Sequence, residues 1–504
     1  VRRTIWPVML CLLLGCPAAE PEPDPEPTPE PAPAGGIVDD VALNLLTLNQ
    51  GVAVTLMSEG VATERNAVVV AGRPGLLRAY VAPQGGFEER ELVAELTLRE
   101  GEAVTVLRER AQIEQGSLSS DLDTTFNFSL SAEQITPRTR FSVAIREVNG
   151  TPAIESQGAA WPIIEGSVEP SEDIEHAYEL GSDDLLASDW GGVVRVYIIP
   201  VRYDTDGSGR LPDTSEQHLD ELRSWMMRLY PVRSVVIEVG EPHPTTLPFD
   251  STSEPMSDLL SEVIGIREQR GIPFDTYAYA MVNPAPSREE YCSSGCTAGI
   301  AYRVGNPNAD HLRAGVGLGY GDASAAETLA HEVGHNHDRG HAPCGGVSND
   351  DEAYPYPGGG IGVWGWDIEL ETQYDPAEYA DVMGYCQPRW ISDYQFDELF
   401  TRTAAIEGLA SWEGPPAGGE WTLVAVRPGD RSRVKGQVSL RSEPGGDSVR
   451  VARLNAAGDE IGLAEGWLVP IADGGPGVAT LFVAGVDDDV ATLVLPDGTR
   501  VSVP

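Results

Sequence analysis

The chain has 504 residues, with 78 acidic and 34 basic side chains and a formal net charge of −44. That length exceeds what one hydrophobic core usually organises, so several domains are expected. Such acidity repels a phosphate backbone and anionic headgroups, which excludes nucleic acid and an electrostatically bound membrane as partners.

The first sixteen residues, VRRTIWPVMLCLLLGC, set Arg2 and Arg3 ahead of an apolar run too short to span a bilayer, the pattern of a signal peptide. Their end, Leu13-Leu14-Gly15-Cys16, resembles the bacterial lipobox, which implies that Cys16 carries a lipid. Residues 17–36 interleave Pro with Glu, Asp, Thr and Ala and predict an extended polyproline spacer. Anchor and spacer together imply a place in the bacterial cell envelope or on its surface, with membrane contact only through the N-terminal lipid unless processing releases the chain.

Over 37–175, short β-type runs at 67–70, 76–81, 126–130 and 141–145 alternate with Gly, Pro and Asp turns and predict an all-β sandwich, either an accessory module or a pro-domain. No His or Cys occurs between Ile37 and Ile174, so this module offers neither a metal site nor a blocking thiol.

From 190 to 410 the pattern changes to α/β. A buried strand is expected over 193–201, then a helix over 214–230 with Asp213 and Glu216 as a capping box and Leu219, Leu222, Met226 and Leu229 on one face. Strands at 235–239, 276–282, 298–304 and 314–320, with helices near 255–270 and 391–409, predict a mixed, mostly parallel sheet. Between the first strand and helix, Asp204, Asp206 and Ser208 begin like a calcium loop. Ser215 stands where such a loop needs Glu, so a plain polar turn is favoured over Ca2+. After the break at 414–419, residues 415–504 read as a second all-β, sandwich-like domain.

Four of the eight histidines fall within 331–341. Ser324 and Glu327 form a capping-box pattern that starts a helix just upstream. His331 and His335, four residues apart, then project from one helical face as two imidazoles able to share one Zn2+, and Glu332 stands beside the first. The third histidine, His341, completes HExxHxxxxxH, a spacing that resembles the metzincin zinc peptidases. In that family a glycine follows the second ligand by three residues and lets the chain leave the helix. Asp338 stands there, a residue type that tolerates positive φ.

The family's second mark, a tight turn with Met beneath the metal, is matched by Asp381-Val382-Met383-Gly384-Tyr385-Cys386. HEVGHN with the later CQPRWISDY resembles the secreted bacterial members. The resemblance spans about 190–410 and implies a metzincin-like catalytic domain flanked by the two β modules. It implies His331, His335 and His341 as zinc ligands, Glu332 as general base, Met383 as a floor and Tyr385 as a donor to the oxyanion. It also implies a protein or peptide substrate lying along Ala298, Gly299, Ile300, Ala301 and Tyr302. The competing reading is a surface-displayed binding or adhesion lipoprotein that keeps an inactive protease fold.

Beyond Cys11 and Cys16, four cysteines remain, an even number in an exported chain, which predicts two disulfides. Of three connectivities, Cys292 with Cys296 and Cys344 with Cys386 is favoured, since each pair flanks one side of the proposed site.

Overall fold

The run VVRVYIIPVRY at Val193–Tyr203 (β1) is apolar at almost every position, which suits a strand buried on both faces. The computed structural model describes residues 35–148, 157–162, 183–190, 192–410, 418–429 and 431–504. The signal-peptide pattern, Cys16 and most of the spacer lie outside them.

β1 is followed by α1 (Glu216–Leu229), β2 (Ser234–Val239), α2 (Glu254–Arg270), β3 (Thr276–Val282), β4 (Gly299–Tyr302), β5 (Ala314–Leu318), α3 (Ala323–Asn336) and α4 (Asp393–Ala410). The sheet runs in the order β2, β1, β3, β5, β4. All of its neighbours are parallel except β4 and β5, which pair antiparallel with Ile300 opposite Val316.

Period-two alternation assigns each face. Tyr277, Tyr279 and Met281 join Leu222, Met226, Leu329 and Val333 in one core, while Ala278, Ala280 and Val282 join Met256, Leu259 and Val263 of α2 in another. With helices on both faces, the inner strands β3, β4 and β5 are buried throughout, and their uninterrupted apolar runs follow.

Both expected helix starts shift. Ser215, not Asp213, caps α1 by accepting from the His218 N–H, because Asp213 Oδ1 is spent on the Ser215 N–H. Asp322, not Ser324, caps α3 through the Ala325 N–H, and Glu327 turns instead to Arg389 and Gln387. The loop at 204–209 is a polar turn: Asp204 pairs with Arg202 at 2.9 Å and Asp206 with Arg210 at 2.7 Å, and Asp206 also accepts the Ser208 N–H.

In the N-terminal module, Leu46, Leu48 and Leu77 of one antiparallel sheet share a core with Leu92, Leu96 and Val143 of a second. This core is continuous with that of α1 and α3. Arg73 closes the junction, donating to the carbonyls of Gln50, Val232 and Arg228, and the indole of Trp390 donates to Gly51 O at 2.7 Å. The 358–366 loop serves the same junction: Ala53 N–H donates to Trp364 O and Trp366 N–H to Gly51 O.

The C-terminal strands extend the central sheet. β6 (Glu460–Ala472) pairs antiparallel with β4, setting Ala472 opposite Ala301 and Ile471 opposite Tyr302, and β7 (Ala479–Ala484) returns alongside β6. Trp421, Leu423, Val438, Ile471 and Phe482 complete the core over α2. Buried Asp258 of α2 faces Arg427 at 3.5 Å and Lys435 at 3.4 Å and also pairs with Arg433, while Glu254 meets Arg431 at 2.8 Å. Removing one member of such a buried set leaves an uncompensated charge. Asp258→Ala is therefore expected to destabilise the chain by about 3–5 kcal/mol, seen as an earlier transition in urea unfolding.

Candidate metal centre and cleft

α3 presents one face to the core through Leu329 and Val333, and the face beside it carries His331 and His335, all four buried. His337 caps the helix end and Asp338 then adopts φ of 68°, the left-handed turn that a glycine would otherwise supply. Its carboxylate and carbonyl both hold Arg303, and the reversal brings His341 back over the helix.

Each ligand-type histidine is oriented from behind by a backbone carbonyl. Nδ1 of His331 lies 2.8 Å from Val382 O, that of His335 2.8 Å from Arg339 O and that of His341 2.7 Å from Ser348 O. A carbonyl can only accept, so each Nδ1 carries the proton and each Nε2 is left with a bare lone pair. The Nε2 atoms of His331 and His335 face one another at 3.1 Å.

A fourth donor joins them from the C-terminal module. Asp473 follows β6, and its Oδ2 lies 3.2 Å from His331 Nε2 and 3.1 Å from His335 Nε2, with Oδ1 3.0 Å from His341 Nε2. The His341 contact is close but lacks hydrogen-bond alignment, so that Nε2 has no hydrogen-bond partner. One donor atom from each of the four residues falls within 4.8 Å of the others. Three lone pairs and a carboxylate aimed at one point repel unless a cation lies among them. Imidazole nitrogens with one carboxylate oxygen suit zinc in tetrahedral coordination.

Burial lowers the pKa of His335 to about 4, which keeps it neutral and available to a metal. Burial, and then the charge of Asp473, push the Glu332 carboxyl well above its ordinary value, and a divalent cation nearby acts in the opposite sense. Among the described residues Glu332 Oε2 has no hydrogen-bond partner, and the side chain faces the cleft. Room for it depends on Gly299, where a Cβ would fall 2.6 Å from Glu332 Oε1 and 2.5 Å from Thr328 Cγ2.

Met383 is buried beneath this cluster, and a Cβ at Gly334 would lie 2.5 Å from its sulfur, so the glycine lets the turn close against α3. Asp381 builds that turn, accepting the Met383 N–H and the Ser392 N–H at 2.8 Å each. The Cys344–Cys386 disulfide ties the segment after His341 to the same turn, and Cys292–Cys296 stands at the cleft rim. Tyr385 is 40% exposed, its ring 5.4 Å from that of His341, and its hydroxyl donates to Asp473 Oδ1.

The cleft is a cavity of about 320 Å3 lined by 296–299, Thr328, His331, Glu332, Tyr385, Arg389 and Asp473. Of the expected substrate strand, only Ala298 and Gly299 reach it. Ile300 is packed in the α2 core, and Ala301 and Tyr302 already pair with β6, because β4 is an interior strand of the continuous sheet. His337 is not with the ligands: it is buried behind them, stacked on Tyr277 and bonded to Val333 O. No residue of the N-terminal module lines the cleft among the described residues.

Asp473 and Gly334 are what sequence reasoning missed, together with the close approach that Gly299 allows and the turn-building role of Asp381. The glycines carried a faint signal, since each falls where a strand or helix residue would ordinarily bear a side chain.

Residues 309–387 match the model of the Peptidase M66 family, which supports a peptidase of the metal-dependent kind. The matched segment holds His331, Glu332, His335, His341 and Met383. No curated protein matches the chain in sequence. Replacing any one of His331, His335 or His341 by Ala is expected to abolish stoichiometric zinc retention during dialysis against a competing chelator, measured by atomic absorption. Changes at glutamates downstream of His341 leave retention intact.

Proposed function

We propose that the chain is a zinc-dependent endopeptidase of the metzincin type that cleaves extracellular proteins, held at the bacterial cell surface by lipid on Cys16. The observation that carries this reading is the convergence of three Nε2 lone pairs beside buried Glu332, whose Oε2 has no hydrogen-bond partner among the described residues, on a segment that matches a peptidase family. His331, His335 and His341 hold the ion. Zinc, when bound, supplies the Lewis acidity that makes water a competent nucleophile near neutral pH and polarises the scissile carbonyl.

The rest is done by side chains. Glu332 takes a proton from the attacking water and returns it to the departing amine, a transfer its free Oε2 can make without breaking a hydrogen bond. Tyr385, 40% exposed at the rim, donates to the developing oxyanion once its hydroxyl leaves Asp473. An extended peptide enters over Ala298 and Gly299, where the missing Cβ of Gly299 keeps the backbone close to Glu332. Localisation rests on the sequence of residues 1–36; among the described residues no helix is long and apolar enough to cross a membrane.

The direct test is incubation of a mixed peptide library with the zinc-loaded full chain, alongside an Asp473→Gly chain, read by mass spectrometry. Internal cleavage is expected. A folded, zinc-holding pair of chains that both leave the library intact would instead favour a binding lipoprotein. Glu332→Gln is expected to retain zinc while turnover falls by about 10²–10⁴-fold. Gly299→Ala keeps fold and zinc, and its kcat falls because Glu332 is displaced; unchanged kcat would show that the close approach has no part in catalysis.

A further inference from the structure

Asp473 does more than complete a donor set. Its two oxygens face all three imidazoles, and Oδ1 also takes the hydroxyl of Tyr385, so one carboxylate engages the three ligand-type histidines and the tyrosine at the cleft rim. Glu332 is not among those contacts, and the Asp473 side chain is only 7% exposed. Backbone geometry points the same way: Asp473 has φ of 60°, a conformation that costs a non-glycine residue about 1 kcal/mol or more and persists only where its surroundings enforce it.

The residues before Asp473 run beside the strand that leads out of the cleft floor. Ile471 and Ala472 pair antiparallel with Tyr302 and Ala301, on the strand whose start, Ala298 and Gly299, floors the cleft. Ser253 of the α2 cap donates to Gly474 O at 2.8 Å, and Tyr302 OH meets Thr480 Oγ1 at 2.8 Å, which fixes the hairpin on both sides of Asp473.

We propose that the chain is its own inhibitor: the β6–β7 hairpin sets Asp473 in the cleft, and its carboxylate fills the fourth position on the metal. This rests on the peptidase reading. Activity then requires only the 473–477 turn to leave, because the C-terminal strands share a core with β4 and α2 and stay docked. Latency thus comes from the C-terminal side of the chain.

The test uses the full chain loaded with Co2+ in place of Zn2+, titrated with acetohydroxamate while the cobalt absorption is followed, and in parallel the zinc form cleaving library-derived peptides. Asp473→Gly removes the carboxylate and suits the positive φ; Asp473→Asn keeps shape and loses charge, and circular dichroism reports that both fold. In both variants the cobalt spectrum should change, and acetohydroxamate affinity and cleavage rate should rise by about tenfold or more, since a competent state that was rarely populated becomes dominant. An unchanged spectrum and affinity in both variants would show that Asp473 is not a ligand and overturn the proposal. A higher affinity with slower cleavage would overturn it too, by placing Asp473 within the reaction. A higher affinity with no cleavage by parent or variants would uphold the block while removing the peptidase reading.

Discussion

Three backbone carbonyls, those of Val382, Arg339 and Ser348, determine the chemistry of this protein by deciding where three protons sit. With each Nδ1 committed, three Nε2 lone pairs must face one another in a buried pocket, an arrangement that repels itself without a cation. The carbonyls come from different places: the Met383 turn, the reversal after α3, and the loop beyond His341. The metal centre therefore depends on those segments keeping their relative positions. The Cys344–Cys386 disulfide and the Asp381 hydrogen bonds hold two of them together.

Close approach is the second constraint. Gly299 lies against Glu332 and Gly334 against Met383, and at both a single Cβ would collide with a side chain the site requires. The sheet that carries Gly299 is covered on both faces by helices and continued at its edge by β6. That continuity lets a residue of the C-terminal module reach the histidines at all. The N-terminal module, bound through Arg73 and Trp390, buttresses α1 and the turn region from outside the cleft.

Much of the local structure could be read from residue patterns, because alternation and helical spacing report burial directly. β3 spans the expected 276–282, and Leu222, Met226 and Leu229 face the core. The positive φ of Asp338 and both cysteine pairs could also be anticipated, the first from the residue's tolerance and the second from position around the histidines. Helix caps were misplaced by two residues in each case, since several Ser and Asp side chains compete near a helix start and only the chain's path decides which faces the free N–H groups. Asp473 was illegible for a different reason. No spacing rule links it to the histidines, and it is one of 78 acidic residues until the β4–β6 pairing brings it in.

The most direct measurement is anomalous diffraction at the zinc edge from crystals of the zinc-loaded full chain. The account predicts one zinc ion with three nitrogen ligands at about 2.0–2.1 Å, from His331, His335 and His341, and one oxygen ligand at about 2.0–2.2 Å from Asp473. Zinc bound elsewhere, or bound by the histidines with Asp473 turned away into solvent, would contradict it.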